Sequence, residues 1–330
     1  MNKVKDFNTQ LLMEDMESHL QQFIYGDKPQ ELYQPISYIM SLGGKRLRPL
    51  LTLLAYSLYK EDYKKILTPA SAIEVFHNFT LMHDDIMDEA PLRRGEKTVH
   101  EKWNANTAIL SGDVMLVKAY DMLLEVQPSL LPIILKRFNK TAAEVCEGQQ
   151  LDMNFEKVES VSEEDYIEMI KLKTAVLLGF SLEYGALLAG ASEHDAQCLY
   201  NFGVNVGIGF QLKDDLLDVY ADKAKFGKQV GGDIMSNKKT FLLIKAKELA
   251  KGSNDEKLQS LLQMDSSENV RKVREVTDIY NELDIKRLTE EKMSYYFDKG
   301  FRELSSLEVT HPHVLQQLTQ LTEDLINREK

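Results

Sequence analysis

Apolar residues recur along this chain every three or four positions. Leu47, Leu50, Leu51, Leu54 and Leu58 make one stripe, and Ile73, Phe76, Phe79, Thr80 and His83 share the face of another. That spacing stacks side chains on one side of an α-helix. Tyr295, Tyr296, Gly300, Phe301 and Leu304 keep the same period inside the highly charged stretch 251–330, which reads as amphipathic closing helices or a dimer surface. Punctuation falls at Pro29 and Pro35, at Gly43, Gly44 and Pro49, at Pro128 and Pro132, and at Gly227, Gly231 and Gly232. Alternating β-branched runs with Asn-Gly or Asp-Gly turns are missing. An all-α protein is predicted.

Length alone, 330 residues, suggests about two domains. Yet no shift in composition marks a linker, and the longest irregular stretch, 221–240, reads as a surface loop. The net charge of −12, with no basic tail, argues against a nucleic-acid partner. Cys146 and Cys198 cannot build a disulfide framework, which fits a reducing, cytoplasmic setting. The N-terminal residues alternate charged and apolar types and lack the apolar core of a signal peptide. Residues 176–191 come nearest to a membrane span, but Glu183 interrupts them, so no transmembrane segment is expected.

The sharpest local feature is a repeated acidic pattern. LMHDDIMD carries Asp84, Asp85 and Asp88, and QLKDDLLD carries Asp214, Asp215 and Asp218. On a helix, Asp84 and Asp88 lie one turn apart on one face, where like charges repel by about 0.2–0.5 kcal/mol per pair. Either the aspartates form a solvated acidic edge or a cation offsets them. Two copies, each amid apolar helix, favour the cation. Carboxylates without His or Cys suit a hard ion, and Mg²⁺ is commonly held by one or two carboxylates plus waters and substrate phosphates. A phosphate ligand needs cations as well. GGKRLRP supplies Lys45, Arg46 and Arg48 behind paired glycines; Arg93 and Arg94 follow the first acidic motif; Lys173 and Thr174 interrupt an apolar helix; Lys228 and Lys238 bracket glycines. Each alone reads as surface charge; together they complement diphosphates.

The ordered set GGKRLRP, FHNFTLMHDDIMDEAPLRRG, KTAVLLG, GFQLKDDLLD and FGKQVGGDIMSNKKT resembles the trans-isoprenyl diphosphate synthase, or polyprenyl synthetase, family from about residue 43 to 245. The resemblance implies one domain over 1–330, a bundle of long helices around a deep cavity, and a homodimer. It implies that Lys45, Arg48, His77 and Arg94 hold the diphosphate of isopentenyl diphosphate. Arg93, Lys173, Thr174, Gln211, Lys228 and Lys238 would serve the allylic diphosphate. Asp84, Asp88 and Asp214 would ligate a Mg²⁺ cluster of up to about three ions, with Asp85, Asp215 and Asp218 as supporting carboxylates. The Lys173 carbonyl and Thr174 hydroxyl would face the allylic cation.

Chain length is implied to depend on Phe79 and Thr80, the fifth and fourth residues before Asp84. One aromatic there resembles synthases of fifteen- or twenty-carbon products, farnesyl or geranylgeranyl diphosphate. Longer-chain synthesis, a terpene cyclase and a non-catalytic subunit are the alternatives. DDLLD with GGKRLRP argues against a cyclase, and six intact aspartates argue against a regulatory subunit. A phosphohydrolase built on His83-Asp84 lacks further His ligands. GVNVGIGF at 203–210, without a preceding strand, reads as close helix packing and not as a dinucleotide loop. The segment 221–240 reads as a loop able to close over the allylic diphosphate.

Overall fold

A computed structural model describes residues 8–221 and 231–327. In chain order it contains α1 (Thr9–Gln22), α2 (Gln30–Ser41), α3 (Leu47–Ser57), α4 (Leu67–Met87), β1 (Leu92–Arg93), β2 (Glu96–Lys97), α5 (Val99–Lys102), α6 (Ala105–Leu123), α7 (Leu131–Lys157), α8 (Glu163–Ile170), α9 (Val176–Ala189) and α10 (Glu193–Tyr220). Helices Gly232–Met235, Phe241–Leu249, Ser253–Leu262, Asn269–Glu282, Ile285–Leu304 and Pro312–Asn327 follow. The fold is all-α, as the periodicity predicts. The single exception among the described residues is a two-stranded antiparallel hairpin pairing Leu92 with Lys97 and Arg93 with Glu96.

Helix starts follow local chemistry. The Asn104 side chain accepts from the Thr107 amide at 2.9 Å, and Ser162 accepts from the Asp165 amide at 3.0 Å. Each satisfies an amide that the first helical turn leaves without a partner. Glu163, Glu164 and Asp165 add negative charge at the positive end of α8.

The chain divides into two compact units. The first comprises Met1–Lys140, Phe180–Tyr200 and Leu307–Gln320; the second comprises Thr141–Gly179, Asn201–Ser306 and Leu321–Lys330. The divisions at 140, 179, 200 and 320 fall inside helices. In the first unit an aromatic series lies in the core. Phe138 meets Phe76 at 5.1 Å, Tyr120 at 5.2 Å and Phe180 at 5.9 Å, and Phe180 stacks on Tyr184 at 5.4 Å. Edge and offset contacts of this kind add about 0.5–1.5 kcal/mol to area burial. The second unit has its own core, in which Leu216, Val219 and Ile234 pack with Leu242, Val276 and Ile279.

The run Glu163–Ala189 has the length and hydropathy of a membrane span, longer than the 176–191 stretch read from sequence. It is nonetheless 83% buried within the protein over its most apolar window, as a core helix would be. Glu183 is tolerated there because Arg137 of α7 forms an ion pair with it.

Within the second unit, GVNVGIGF is helix packing, as expected. A Cβ at Gly203 would stand 2.7 Å from the Gly179 Cα, and one at Gly207 would stand 2.7 Å from the Ala175 Cα. Backbone cannot yield there, so Gly207→Ala is expected to cost about 1–3 kcal/mol and lower the melting temperature by about 3–10 °C. An unchanged melting curve by circular dichroism would show that the helices have room.

Candidate active site

In the first unit the chemistry gathers around His77. Gly43 and Gly44, at φ 74° and 138°, turn the chain between α2 and α3. Lys45 lies exposed on this turn, and Arg48 enters the first turn of α3. The Nε of Arg48 is buried with no hydrogen-bond partner among the described residues. Burial pushes its pKa down to about 10 against the opposing charge of Glu74. The β-hairpin explains how two adjacent arginines diverge. Arg94 at φ 56° and Gly95 at φ 83° form its tip, a backbone that matches the twist of paired strands. Arg93, on the strand, donates to Asp85 from Nε at 2.8 Å and from Nη2 at 2.6 Å. Arg94, at the tip, donates to the Gly43 carbonyl. Burial holds the His77 pKa well below its usual value, and Arg48, Arg94, Arg93 and Arg46 hold it down further. His77 is therefore neutral.

Helix α4 ends at Met87, so the first acidic motif occupies its last turn. Asp85 is 2% exposed and bound to Arg93, whereas Asp84 is half-buried and Asp88, the C-cap, is exposed. Carboxylates at the negative end of a helix dipole are unfavourable by tenths of a kcal/mol, a second reason for a cation here. Phe79 is half-buried, its ring 5.7 Å from Phe76 and 4.8 Å from His83. Thr80 donates its hydroxyl to the His77 carbonyl at 2.8 Å.

In the second unit the chain passes from α8 to α9 through a π-turn at Lys171–Ala175, a local widening common at functional sites. The turn carries Lys173 and Thr174. Helix α7 comes so near that a Cβ at Gly148 would stand 2.1 Å from the Lys173 amide nitrogen. One turn further, Asp152 meets the Lys173 Nζ at 2.6 Å. Gly203, Gly207 and Gln211 share a face of α10, so the same close packing brings Gln211 within 3.5 Å of the Thr174 hydroxyl. Gln211 donates onward to Asp215 at 3.4 Å, and the Tyr166 hydroxyl donates to the other oxygen of Asp215.

Here too the middle aspartate is buried, at 5% exposure, while Asp214 is exposed and Asp218 half-buried. Burial pushes the Asp215 pKa up to about 7, against its hydrogen bond from Tyr166. Asp233 is pushed up to about 6 by burial, opposed by Lys238 and reinforced by Asp218, Asp152 and Asp214. Asp218 accepts from the Asp233 amide at 3.0 Å, and the Lys238 amide donates to the Asp233 carbonyl at 2.9 Å. Lys228 lies outside the described residues, as do residues 222–230 of the segment expected to close.

Residues 29–280 match the polyprenyl synthetase family. The chain belongs to that family. It is similar to the geranylgeranyl pyrophosphate synthase of Geoglobus acetivorans, 44% identical over 229 residues, covering 69% of this chain and 72% of that protein. The geranylgeranyl diphosphate synthase of Sulfolobus acidocaldarius is 41% identical over 242 residues, covering 72% of each. Among solved structures, a geranylgeranyl pyrophosphate synthase superposes with a TM-score of 0.93 at 40% identity, covering 98% of this chain and 100% of that one. The geranylgeranyl pyrophosphate synthetase from Pyrococcus horikoshii gives 0.89 at 32% identity, covering 97% of each. This polyprenyl synthetase is a short-chain trans-prenyltransferase.

Several residues of the synthetase escaped sequence reasoning. Asp152 had a faint signal, an acid one turn after a glycine on an otherwise periodic helix. Asp233 follows a glycine pair. Tyr166 had none, because its partner Asp215 is 49 positions away in sequence. Among the described residues no three Asp, Glu, His or Cys side chains converge enough to hold a metal by themselves. Oxygen-only donors, with the Asp215 and Asp233 carboxyls pushed up by burial and by neighbouring acids, nevertheless fit a hard dication completed by phosphate oxygens.

A neutral His77 has a consequence for stability. The unfolded chain takes up a proton near pH 6.5 that the folded His77 refuses, so its contribution is present above that pH and lost as pH falls. His77→Gln should flatten the fall in melting temperature between about pH 6.5 and 5 and leave the curve above pH 7 parallel to wild type. Equal slopes on the acid side would mean that His77 protonates freely in the fold.

Proposed function

We propose that the synthetase joins isopentenyl diphosphate to dimethylallyl, geranyl or farnesyl diphosphate, head to tail in the 1′-4 sense. The product is an all-trans prenyl diphosphate of fifteen or twenty carbons, with geranylgeranyl diphosphate favoured by the names of its relatives. The observation that carries this reading is the half-buried Arg48, whose buried Nε has no partner among the described residues and whose charge helps hold down the pKa of His77. Lys45, Arg48, His77 and Arg94 bind the isopentenyl diphosphate. Lys173, Thr174, Gln211 and Lys238 receive the allylic diphosphate in their own unit. Asp84 and Asp88 at the first motif, and Asp214 at the second, would hold Mg²⁺ by their carboxylate oxygens. Asp85, Asp215 and Asp218 fix neighbouring groups: Arg93, Gln211 with Tyr166, and the Asp233 amide.

Bound Mg²⁺ supplies Lewis-acid neutralisation of the diphosphate charge. Lys173, held by Asp152, and Lys238 stabilise the charge growing on the departing diphosphate as the allylic carbon–oxygen bond breaks. The isopentenyl double bond then attacks the allylic carbon, and a proton leaves to the released diphosphate. His77 helps to orient its substrate.

The synthetase works as a cytoplasmic homodimer. Support for the dimer comes from α6 and its C-cap, where Leu110, Val117 and the capping Leu124, seven residues apart, are 58, 58 and 55% exposed.

Incubation with labelled isopentenyl diphosphate, Mg²⁺ and each allylic primer tests the reading; no prenyl product with any primer would overturn it. Asp84→Ala is expected to lose at least about 10³-fold in kcat while far-UV helicity is kept. Phe79→Ala is expected to lengthen the product on thin-layer or mass analysis, and an unchanged product would move the floor of the site elsewhere.

A further inference from the structure

The motif GGKRLRP offers three cations, and the middle one behaves unlike its neighbours. Arg46 is 3% exposed. Its Nε donates to Glu17 of α1 at 3.0 Å, its Nη1 to Glu74 of α4 at 2.8 Å, and its Nη2 to the Met40 carbonyl of α2 at 2.6 Å. Its backbone is left-handed, at φ 44° and ψ 34°, unusual for an arginine, and its carbonyl accepts the first hydrogen bond of α3 from Leu50 at 3.1 Å. Three helices and one strained turn are thus tied to one guanidinium.

Glu74 is the other half of the device. It is 2% exposed, and besides Arg46 it takes a hydrogen bond from Asn78 at 3.1 Å. Its charge reaches Arg48 and Arg94, the two arginines read as isopentenyl diphosphate ligands. A buried carboxylate beside those guanidiniums would compete with the incoming diphosphate, because a desolvated acid seeks the nearest cation.

We propose that Arg46 is a positioning residue that sequesters Glu74, keeping Arg48 and Arg94 available for the diphosphate while it ties the GGKRLRP turn to α1 and α4. Glu17 completes the charge balance, which couples the N-terminal helix to substrate affinity. The inference rests on the reading of Arg48 as a ligand.

Steady-state kinetics with each substrate varied in turn test it. Arg46→Met should raise KM for isopentenyl diphosphate about tenfold and change KM for the allylic substrate less than about twofold, since Glu74 then captures Arg48. Arg46→Met/Glu74→Gln should recover KM to within about threefold of wild type, because the competing charge is gone. A double variant as impaired as Arg46→Met, or both KM values rising together, would reduce Arg46 to a purely structural ion pair and overturn the proposal. If Arg46→Met does not fold, Glu74→Gln decides: isopentenyl KM unchanged or lower supports sequestration, and a tenfold rise overturns it. Arg48→Ala separates the two readings. An unchanged isopentenyl KM in that variant overturns the ligand assignment and the proposal with it, whereas a raised KM without rescue in the double variant overturns the proposal alone.

Discussion

Desolvated charge that cannot neutralise itself locally is the constraint on which the rest of this synthetase depends. Around His77, Arg46, Arg48, Arg93 and Arg94 act on one site, and burial makes the charge of Arg46, and less so of the half-buried Arg48 and Arg93, harder to leave unanswered. Arg93 is answered by Asp85 and Arg46 by Glu17 and Glu74. Arg48 has the remaining capacity, at a place where a diphosphate oxygen would be welcome. In the second unit the imbalance has the opposite sign: Asp215 and Asp233 hold protons more tightly than free aspartates because burial and neighbouring acids oppose ionisation. Excess cation suits an anion, and excess carboxylate suits a dication that brings one.

Such imbalance survives only where packing prevents the groups from rearranging. The glycines of α7 and α10 do this in the second unit. Where Gly148, Gly203 and Gly207 meet facing backbone, no side chain fits, and the polar group one turn beyond, Asp152 or Gln211, is delivered to Lys173 or Thr174. The π-turn between α8 and α9 presents both of those residues on one short stretch. In the first unit the same part is played by turns at positive φ, at Gly43, Arg46 and Arg94, tied by the Arg94 bond to the Gly43 carbonyl and the Arg46–Glu74 ion pair.

The two acidic motifs look alike in sequence and share a division of labour that the sequence does not state. In each, the second aspartate turns inward to a fixed partner, Arg93 for Asp85 and Tyr166 for Asp215, and an aspartate beside it reaches solvent. A strict i, i+4 reading put Asp84 and Asp88 one turn apart, as the bond from the Asp88 amide to the Asp84 carbonyl shows, but could not show that α4 stops between them.

The helical class, the positions of both aspartate motifs, the basic turn and the family were legible in the residues themselves, because helical period and short motifs are local properties of the chain. The glycine pattern at 203–210 was also legible as packing, though not the partner it packed against. What tertiary structure alone decided were the pairings: which arginine meets Glu74 and which keeps a buried Nε without a partner, and that Asp152 meets Lys173 and Tyr166 meets Asp215. Those pairs lie between 21 and 49 residues apart in sequence. No local pattern encodes them, since a side chain's partner is set by which helices pack together and its pKa by how much water that packing removes.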